Sequence, residues 1–231
     1  MKNQYFGDDR DVFKYDFALA VLRGTPLNRF TFVPMLTPPD DSGHGDVDKR
    51  SSSAPGMHNK QLVDYLNSCR TNGRRDIAEI KPYFEDAGIS IHIHKAGYYL
   101  KHTERSSYFE GLDASALESS LVFVDPDNGL EIQDSSEKHL LLNELKDLYM
   151  SIGDDSVLMF FQYRPRMKKR ADLVLETAAR LYDIGLGPPM VVAESSVSFF
   201  LLVKNSALRD EVASIITGYL EQYRQLRIWN V

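Results

Sequence analysis

The sequence predicts an α/β fold built on a doubly wound, mostly parallel sheet. Short apolar runs over 119–124 and 157–161 are typical of buried strands, and segments with helical spacing of apolar residues alternate with them. Such alternation favours βαβ units whose sheet is covered on both faces. Near the C-terminus, the apolar segments 190–193 and 197–203 flank a short polar turn. This spacing predicts an antiparallel strand pair at the end of the sheet.

The first half of the chain carries weaker signals. Asp8 is a suitable N-cap for a helix that ends at Gly24. Residues 37–57 are rich in proline, glycine, serine and aspartate, which predicts a long loop. The other predicted elements are, in order, a strand over 30–36, helices over 59–70 and 75–87, a half-buried strand over 89–93 and a weak helix over 102–112.

The second half carries clearer periodicity. The strand over 119–124 ends at Asp125-Pro126, because proline disfavours a regular continuation of the backbone. The predicted elements that follow are helix 137–150, strand 157–161, helix 168–184, the strand pair and a final helix over 208–223, with Asn205 or Ser206 as its N-cap. We find no linker, so 1–231 is treated as one domain.

Composition limits the classes of function. The 231 residues include 33 acidic and 27 basic side chains, a formal net charge of −6, and 43% are hydrophobic, which is typical of a folded domain. No run approaches the length of a membrane span. The single cysteine, Cys69, excludes an internal disulfide framework and a cysteine-rich metal site, and a cytoplasmic location is expected.

The strongest motif follows the strand that ends at residue 125. Asp125, Asp127, Asn128 and Glu131 cluster where this strand opens into a loop. Ligands of parallel sheets lie at the carboxyl ends of strands, and acidic or amide groups there can hold an amine or a cation. The alternative interpretation is a plain turn, because Asp-Pro and Asn-Gly both favour turns.

This pattern resembles class I S-adenosylmethionine-dependent methyltransferases, which share a Rossmann-like fold. In members that methylate amines of bases, the fourth strand ends in Asp/Asn-Pro-Pro-Tyr/Phe; here Asp127 replaces the second proline and Asn128 the aromatic residue. The resemblance implies that Asp125 accepts a hydrogen bond from the target amine. It also implies that the region of Pro126 presents backbone carbonyls, so 125–128 would be the catalytic residues.

The N-terminal segment carries a second likeness. Asp11-Val-Phe-Lys14 is similar to the Asp-x-x-Lys-His helix of the 23S rRNA adenine methyltransferase J family. Residues 2–8 together with 125–131 also resemble a group of bacterial and phage proteins with no assigned activity. The resemblance implies S-adenosylmethionine as cofactor, bound by the following residues: Lys14, Leu36, Thr37, Asp40 and Asp41.

The loop after the first strand departs from the methyltransferase pattern. Such enzymes usually place a Gly-x-Gly-like turn directly after this strand, whereas here Gly43-x-Gly45 comes seven residues too late. The loop also carries Asp40, His44 and Asp46, which could contact a ligand or be solvated. The missing turn favours an alternative, a non-catalytic protein of this fold.

Basic residues follow the strand over 157–161. They are Arg164, Arg166, Lys168, Lys169 and Arg170. A basic cluster at a helix N-terminus opposes the helix dipole, so it predicts a phosphate contact, including nucleic acid along Arg164–Arg170. An ordinary solvated face is the alternative. Glu131, Gln162, Arg164 and Arg166 are the predicted substrate-binding residues.

A third hypothesis is a metal-dependent phosphodiesterase or nuclease. Carboxylates are the ligands that Mg²⁺ and Mn²⁺ prefer. The acids available to such a site are Asp8, Asp40, Asp125, Asp127 and Glu131. The sequence leaves the oligomeric state open, and Trp229 is expected to dock on the body of the protein or on a partner chain.

Overall fold

The central sheet has seven strands in the residues described by the computed structural model, which are 1–41, 53–165 and 167–230. In chain order the strands are β1 (Arg29–Pro34), β2 (Ser90–Ile93), β3 (Ser120–Asp125), β4 (Gly129–Leu130), β5 (His139–Leu140), β6 (Val157–Tyr163), β7 (Met190–Ala193), β8 (Val197–Val203) and β9 (Arg227–Asn230). The sheet order is β2-β1-β3-β6-β8-β7-β9, and β4 pairs with β5 in a separate two-stranded sheet.

The pairing confirms the predicted fold class. Strands β2, β1, β3 and β6 are parallel neighbours, whereas β8 runs antiparallel to both β6 and β7. Helices cover both faces, so the sheet is Rossmann-like and doubly wound. The helices are α1 (Asp9–Gly24), α2 (Lys60–Thr71), α3 (Lys81–Asp86), α4 (Arg105–Glu110), α5 (Leu142–Ser151), α6 (Arg170–Asp183) and α7 (Ser206–Gln222).

Alternation along the buried strands creates two cores. In β3, Phe123 faces the core that includes residues of α1, α2 and α7, while Val122 and Val124 face the core that includes residues of α5 and α6. Successive side chains of a strand point to opposite faces, so a strand buried on both faces must be apolar throughout. This explains why β3 appears in the sequence as a continuous apolar run.

The order of strands creates a switch point between β1 and β3. From β1 the chain passes to β2 on one side and then to β3 on the other. The crossovers therefore leave the sheet in opposite directions, which opens a crevice at the carboxyl ends of these two strands. The predicted sites at residues 35–41 and 125–128 lie at this crevice.

Several predicted elements differ in their bounds. The helix predicted over 137–150 begins only at Leu142, because 139–140 pairs with 129–130 as a small parallel sheet that the sequence did not indicate. The segment 75–87 divides into a 3₁₀ turn over 77–80 and α3, with Pro82 in the first turn, where its missing N–H costs no helical hydrogen bond. The segment 102–112 likewise divides into a 3₁₀ turn and α4.

The last strand was also not predicted. Strand β9 pairs antiparallel with β7, so that Trp229 lies opposite Val191. Trp229 therefore docks on the body of the protein, which is one of the two expected outcomes. None of the helices in the described parts of the chain is long and apolar enough to cross a membrane.

Replacing Phe199 with alanine tests the aromatic centre of the core between α1 and the sheet. The ring is fully buried and lies 4.8 Å from the ring of Phe13, 5.7 Å from Phe17 and 6.0 Å from Phe123. We expect Phe199→Ala to lower the free energy of unfolding by about 3–5 kcal/mol, measured by urea denaturation.

The matched control is Tyr182→Ala on α6, because the Tyr182 side chain is 78% exposed. This variant should change the free energy of unfolding by less than about 0.5 kcal/mol. Equal losses in the two variants would contradict the core as described.

Candidate functional site

A buried ion-pair cluster lies at the carboxyl end of β3. The Lys14 Nζ of α1 is 2.8 Å from Asp125 Oδ2 and 3.3 Å from Asp11 Oδ1, and all three side chains are buried. Helix α1 begins where it does because the Asp8 carboxylate accepts hydrogen bonds from the backbone N–H groups of Arg10 and Asp11. This start places Lys14 against the end of β3.

The surroundings of this cluster shift the ionisation of Lys14 and Asp11. Burial acts to lower the pKa of the Lys14 ammonium, but Asp125 and Asp11 outweigh it and raise that pKa. Burial raises the pKa of Asp11 to about 7, although Lys14 opposes this change. The backbone N–H of Gly7 donates to Asp11 Oδ2 at 2.9 Å. One ammonium therefore serves two buried carboxyl groups, and Asp11 holds its proton far more tightly than an exposed aspartate does.

One oxygen of this cluster has no hydrogen-bond partner among the described residues. Asp125 Oδ1 is buried and accepts no hydrogen bond from them, while Oδ2 accepts one from Lys14. A buried carboxylate oxygen without a donor is costly, so it marks a place where a ligand N–H or O–H would gain a strong hydrogen bond. The Lys14 Nζ also lies 4.8 Å from the ring centroid of Phe161, which keeps this side of the cluster apolar.

The second predicted carboxylate, Asp127, contacts the end of β1. Its Oδ2 accepts a hydrogen bond from Thr37 Oγ1 at 3.1 Å, and its Oδ1 lies 3.5 Å from the amino group of Met1. That amino group also donates to the Met35 carbonyl at 2.9 Å. Burial acts to raise the pKa of Asp127, but the amino group and Thr37 hold it below its ordinary value.

Residues 1–5, here called the N-terminal segment, cover the predicted cofactor residues. The backbone N–H of Thr37 donates to the Met1 carbonyl, and both Leu36 and Thr37 are buried. Lys2 pairs with Asp40, which also accepts a hydrogen bond from Gln4. Asp41 is exposed, and Gly43, His44, Gly45 and Asp46 lie outside the described residues.

The loop that follows β3 is held from within the protein. Gln162 Oε1 accepts from the Leu130 N–H at 2.8 Å, and Gln162 Nε2 donates to the Tyr163 carbonyl. Glu131 accepts from the Leu142 N–H at the start of α5 and lies 3.5 Å from Arg180. These two residues, predicted to bind substrate, act in this structure as supports of the loop.

Glycine is required at one position of this loop. Gly129 has φ +106°, and a Cβ there would lie 2.5 Å from the Gln162 amide. Pro126 is buried, whereas Asn128 is exposed and its amide lies 3.4 Å from His139 Nε2. The loop therefore keeps Asp127 beside the end of β1 and turns Asn128 outward.

Hydrogen bonds to two backbone carbonyls fix Arg164, the first residue of the predicted basic segment. Arg164 donates through Nε to the Ser195 carbonyl and through Nη1 to the Lys168 carbonyl. Lys168 pairs with Glu176. The guanidinium of Arg170 lies 6.0 Å from the ring of Trp229. Arg166 lies outside the described residues.

An open cleft borders the first turns of α1. Its volume is about 470 Å³, and its walls combine charged and apolar groups. The Arg10 guanidinium lies 5.1 Å from the ring of Tyr163, at the end of β6. The lining residues are Asp9, Arg10, Phe13, Ser53, Ala54, Pro55, Glu194, Ser196, Val197 and Gln225.

The acids proposed for a metal site have separate roles in the structure. Asp8 caps α1, Asp40 and Asp127 contact the N-terminal segment, Glu131 supports α5 and Asp125 binds Lys14. Across the described residues, no group of three histidine, cysteine, aspartate or glutamate side chains is placed to hold a metal ion.

Comparison of the chain with protein-family models and with curated proteins gives no match. The methyltransferase resemblance therefore stays a prediction from the motifs.

Sequence reasoning missed two groups of residues at the carboxyl edge. The contacts of Met1 and Lys2 come from a segment with no periodic signal. Arg227 and Trp229 reach this edge only through the unpredicted strand β9. The one available signal was the alternation of Arg227-Ile-Trp229, which is typical of a short edge strand.

The raised pKa of Asp11 predicts a pH dependence of stability. The folded state holds this proton up to about pH 7, whereas an ordinary aspartate releases it near 3.8. The free energy of unfolding should therefore fall as the pH rises between these two values. Asp11→Asn removes this titration, so urea denaturation across that window should show a shallower decline.

Asp64→Asn on α2 is the matched control, because Asp64 is exposed. Its decline should equal that of the unmodified protein. If the free energy of unfolding of Asp11→Asn fell with pH as steeply as that of the control, Asp11 would not be the titrating group.

Proposed function

We propose that the protein is an S-adenosylmethionine-dependent methyltransferase whose acceptor is an amine. The observation that carries the proposal is the unpartnered Oδ1 of Asp125 at the switch point of the sheet. An amine N–H directed at this oxygen would satisfy the buried acceptor. The motif resemblance gives Asp125 the same role.

The residues at the end of β1 fit the charges of the cofactor. The amino-acid end of S-adenosylmethionine carries an ammonium, and the Asp127 carboxylate and the Met35 carbonyl already contact an ammonium in this structure. Asp127 and Thr37 would hold that end, beside Lys14 and Leu36. When bound, the cofactor supplies an electrophilic methyl group.

The side chains of the protein position the acceptor. Asp125 Oδ1 accepts an N–H of the amine and so fixes the direction of its lone pair. Lys14 holds the other oxygen of Asp125 and compensates its charge. The Phe161 ring beside Lys14 excludes water from this side. Positioning, rather than proton transfer, is the contribution that these groups can make.

Ligand access requires a change in the N-terminal segment. Asp125 is 1% exposed and Thr37 is 1% exposed. Residues 1–5 must therefore move away from the end of β1 when the cofactor binds.

A binding protein of the same fold is the second candidate. It is favoured by the end of β1, where Pro34-Met-Leu-Thr-Pro-Pro stands in place of glycines and where Leu36 and Thr37, two of the residues expected to touch the cofactor, are buried. In this case the crevice would bind a ligand without transferring a methyl group.

A nucleic acid is our proposed carrier of the amine. The basic segment 164–170 supports it by providing cations near the carboxyl ends of β6 and β7. A cytoplasmic location fits the single Cys69, which is buried and unpaired.

Calorimetric titration with S-adenosylmethionine and with its demethylated product tests the proposal. We expect saturable binding of both. Asp127→Asn should weaken it about tenfold, through the loss of a charge-assisted hydrogen bond. Asp125→Asn should retain cofactor binding and lose transfer of a labelled methyl group to total RNA, the amine-bearing probe.

Asp134→Asn is the control, because this exposed carboxylate lies in the segment between β4 and β5. It should bind and transfer like the unmodified protein. Absence of saturable binding of either compound would rule out the methyltransferase. Binding without transfer by the unmodified protein would favour the second candidate.

A further inference from the structure

Strand β9 brings a distant part of the chain beside the basic segment. Pairing with β7 sets Arg227 opposite Ala193 and Trp229 opposite Val191. The guanidinium of Arg170, at the start of α6, lies 6.0 Å from the Trp229 ring. Arg164, Arg170 and Arg227, here called the arginine cluster, therefore come from three separate elements of the fold.

The hydrogen bonds of the arginine cluster leave its charges unpaired. Arg164 donates to the carbonyls of Ser195 and Lys168, and Arg227 donates through Nη1 to the carbonyls of Arg224 and Leu226. Among the described residues, neither has a carboxylate within 4 Å. A carbonyl fixes the position of a guanidinium without neutralising it.

Of the three arginines in the cluster, Arg170 has the fewest hydrogen bonds to the described residues. Its Nε is buried and has no hydrogen-bond partner, and its guanidinium has no acceptor among the described residues. Its side chain is half-buried, so water compensates only part of this loss. Burial, together with the charges of Arg164 and Arg227, lowers the pKa of Arg170, although Glu194 opposes them.

Glu194 is the carboxylate whose charge acts on Arg170 among the described residues, and its hydrogen bonds are made to other groups. Glu194 accepts hydrogen bonds from the hydroxyl of Ser195 and from the backbone N–H and hydroxyl of Ser196. Three positive charges and one negative charge leave a local excess of about two. Guanidinium groups held by carbonyls, with unused N–H groups, match the geometry of a phosphate.

We propose that the arginine cluster is a binding site for a phosphate group of a ligand. Arg170 supplies donors that have no acceptor among the described residues. Arg164 supplies Nη2, and Arg227 supplies Nε and Nη2, which make no hydrogen bond within the described parts of the chain. Trp229 holds Arg170 in place. The site shares no residue with the cluster at Asp125, so phosphate binding can be tested apart from methyl transfer. Its nucleic-acid form rests on the proposed function, because Arg164 and Arg170 belong to the basic segment that supports a nucleic-acid carrier.

Two sources could supply the phosphate: a small phosphorylated molecule or the backbone of a nucleic acid. Titration at low salt with inorganic phosphate, with adenosine 5′-monophosphate and with a short single-stranded RNA distinguishes them. The variants are Arg170→Gln and Arg227→Gln, with Arg170→Lys as a variant that keeps the charge but loses the planar fork. Thermal unfolding of each variant confirms that it is folded.

The control is Arg23→Gln, an exposed arginine in the last turn of α1 and outside the cluster. We expect about tenfold weaker binding in Arg170→Gln and in Arg227→Gln, through the loss of charge-assisted hydrogen bonds, and unchanged binding in the control. Arg170→Lys should bind more weakly than the unmodified protein.

The pattern across probes decides the source. Weakened binding of phosphate and of the mononucleotide supports a small phosphorylated ligand. Weakened binding of the RNA alone, with a salt dependence reduced by about one ion per arginine removed, supports a nucleic-acid backbone. If no probe binds, or if the cluster variants bind every probe as the control does, the proposal is overturned.

Discussion

One buried ammonium is shared by two buried carboxyl groups where α1 meets the end of β3. Lys14 lies between Asp11 of its own helix and Asp125 of the central strand. Removing Lys14 would leave the buried Asp125 carboxylate without its positively charged partner, which is strongly unfavourable in a protein interior. The register of α1 on the sheet is therefore fixed electrostatically as well as by apolar packing. The position of everything attached to the start of α1 follows from it.

The N-terminal segment illustrates this dependence. Asp8 begins α1, Gly7 donates to Asp11, and the residues before them lie across the end of β1. The same helix start that aims Lys14 at Asp125 thus brings residues 1–5 over Thr37 and Asp127. A ligand that contacted Asp125 would change the charge interactions between Lys14, Asp11 and Asp125. The same ligand would also contact the N-terminal segment. Under the proposed function, binding at the crevice would therefore be coupled to the order of residues 1–5.

The sequence predicts most strands of the sheet. It also identifies two charged residues, Lys14 and Asp125, as candidate site residues. Apolar runs identified β3, β6, β7 and β8 because a strand covered on both faces must be apolar at every position. Motif likeness singled out Lys14 and Asp125 separately, and the fold brings them to 2.8 Å. The contact itself was not predictable, because it joins residues 111 positions apart.

The errors have equally specific causes. The predicted helix over 137–150 includes His139–Leu140 although its apolar spacing starts only at Leu141, and pairing with Gly129–Leu130 instead decides the conformation of these two residues. The sequence predicts that Gln162 contacts a ligand, but the left-handed backbone of Gly129 lets the loop approach closely enough for Leu130 to donate to Gln162 Oε1, while Nε2 donates to the Tyr163 carbonyl. Strand pairing and close approach depend on distant parts of the chain, and local pattern does not encode them.

The net charge of the chain is −6, but acidic and basic side chains lie at different ends of the carboxyl edge of the sheet. Between β1 and β3 the carboxylates are matched by donors of the protein, namely Lys14, Thr37 and the amino group of Met1. Beyond β6 the guanidinium groups meet carbonyls and an aromatic ring instead of carboxylates. Stability alone would favour pairing surplus arginines with some of the many acids. In the described parts of the chain, this segregation leaves guanidinium groups without carboxylates beyond β6, whereas between β1 and β3 the Oδ1 of Asp125 is the carboxylate oxygen left without a donor.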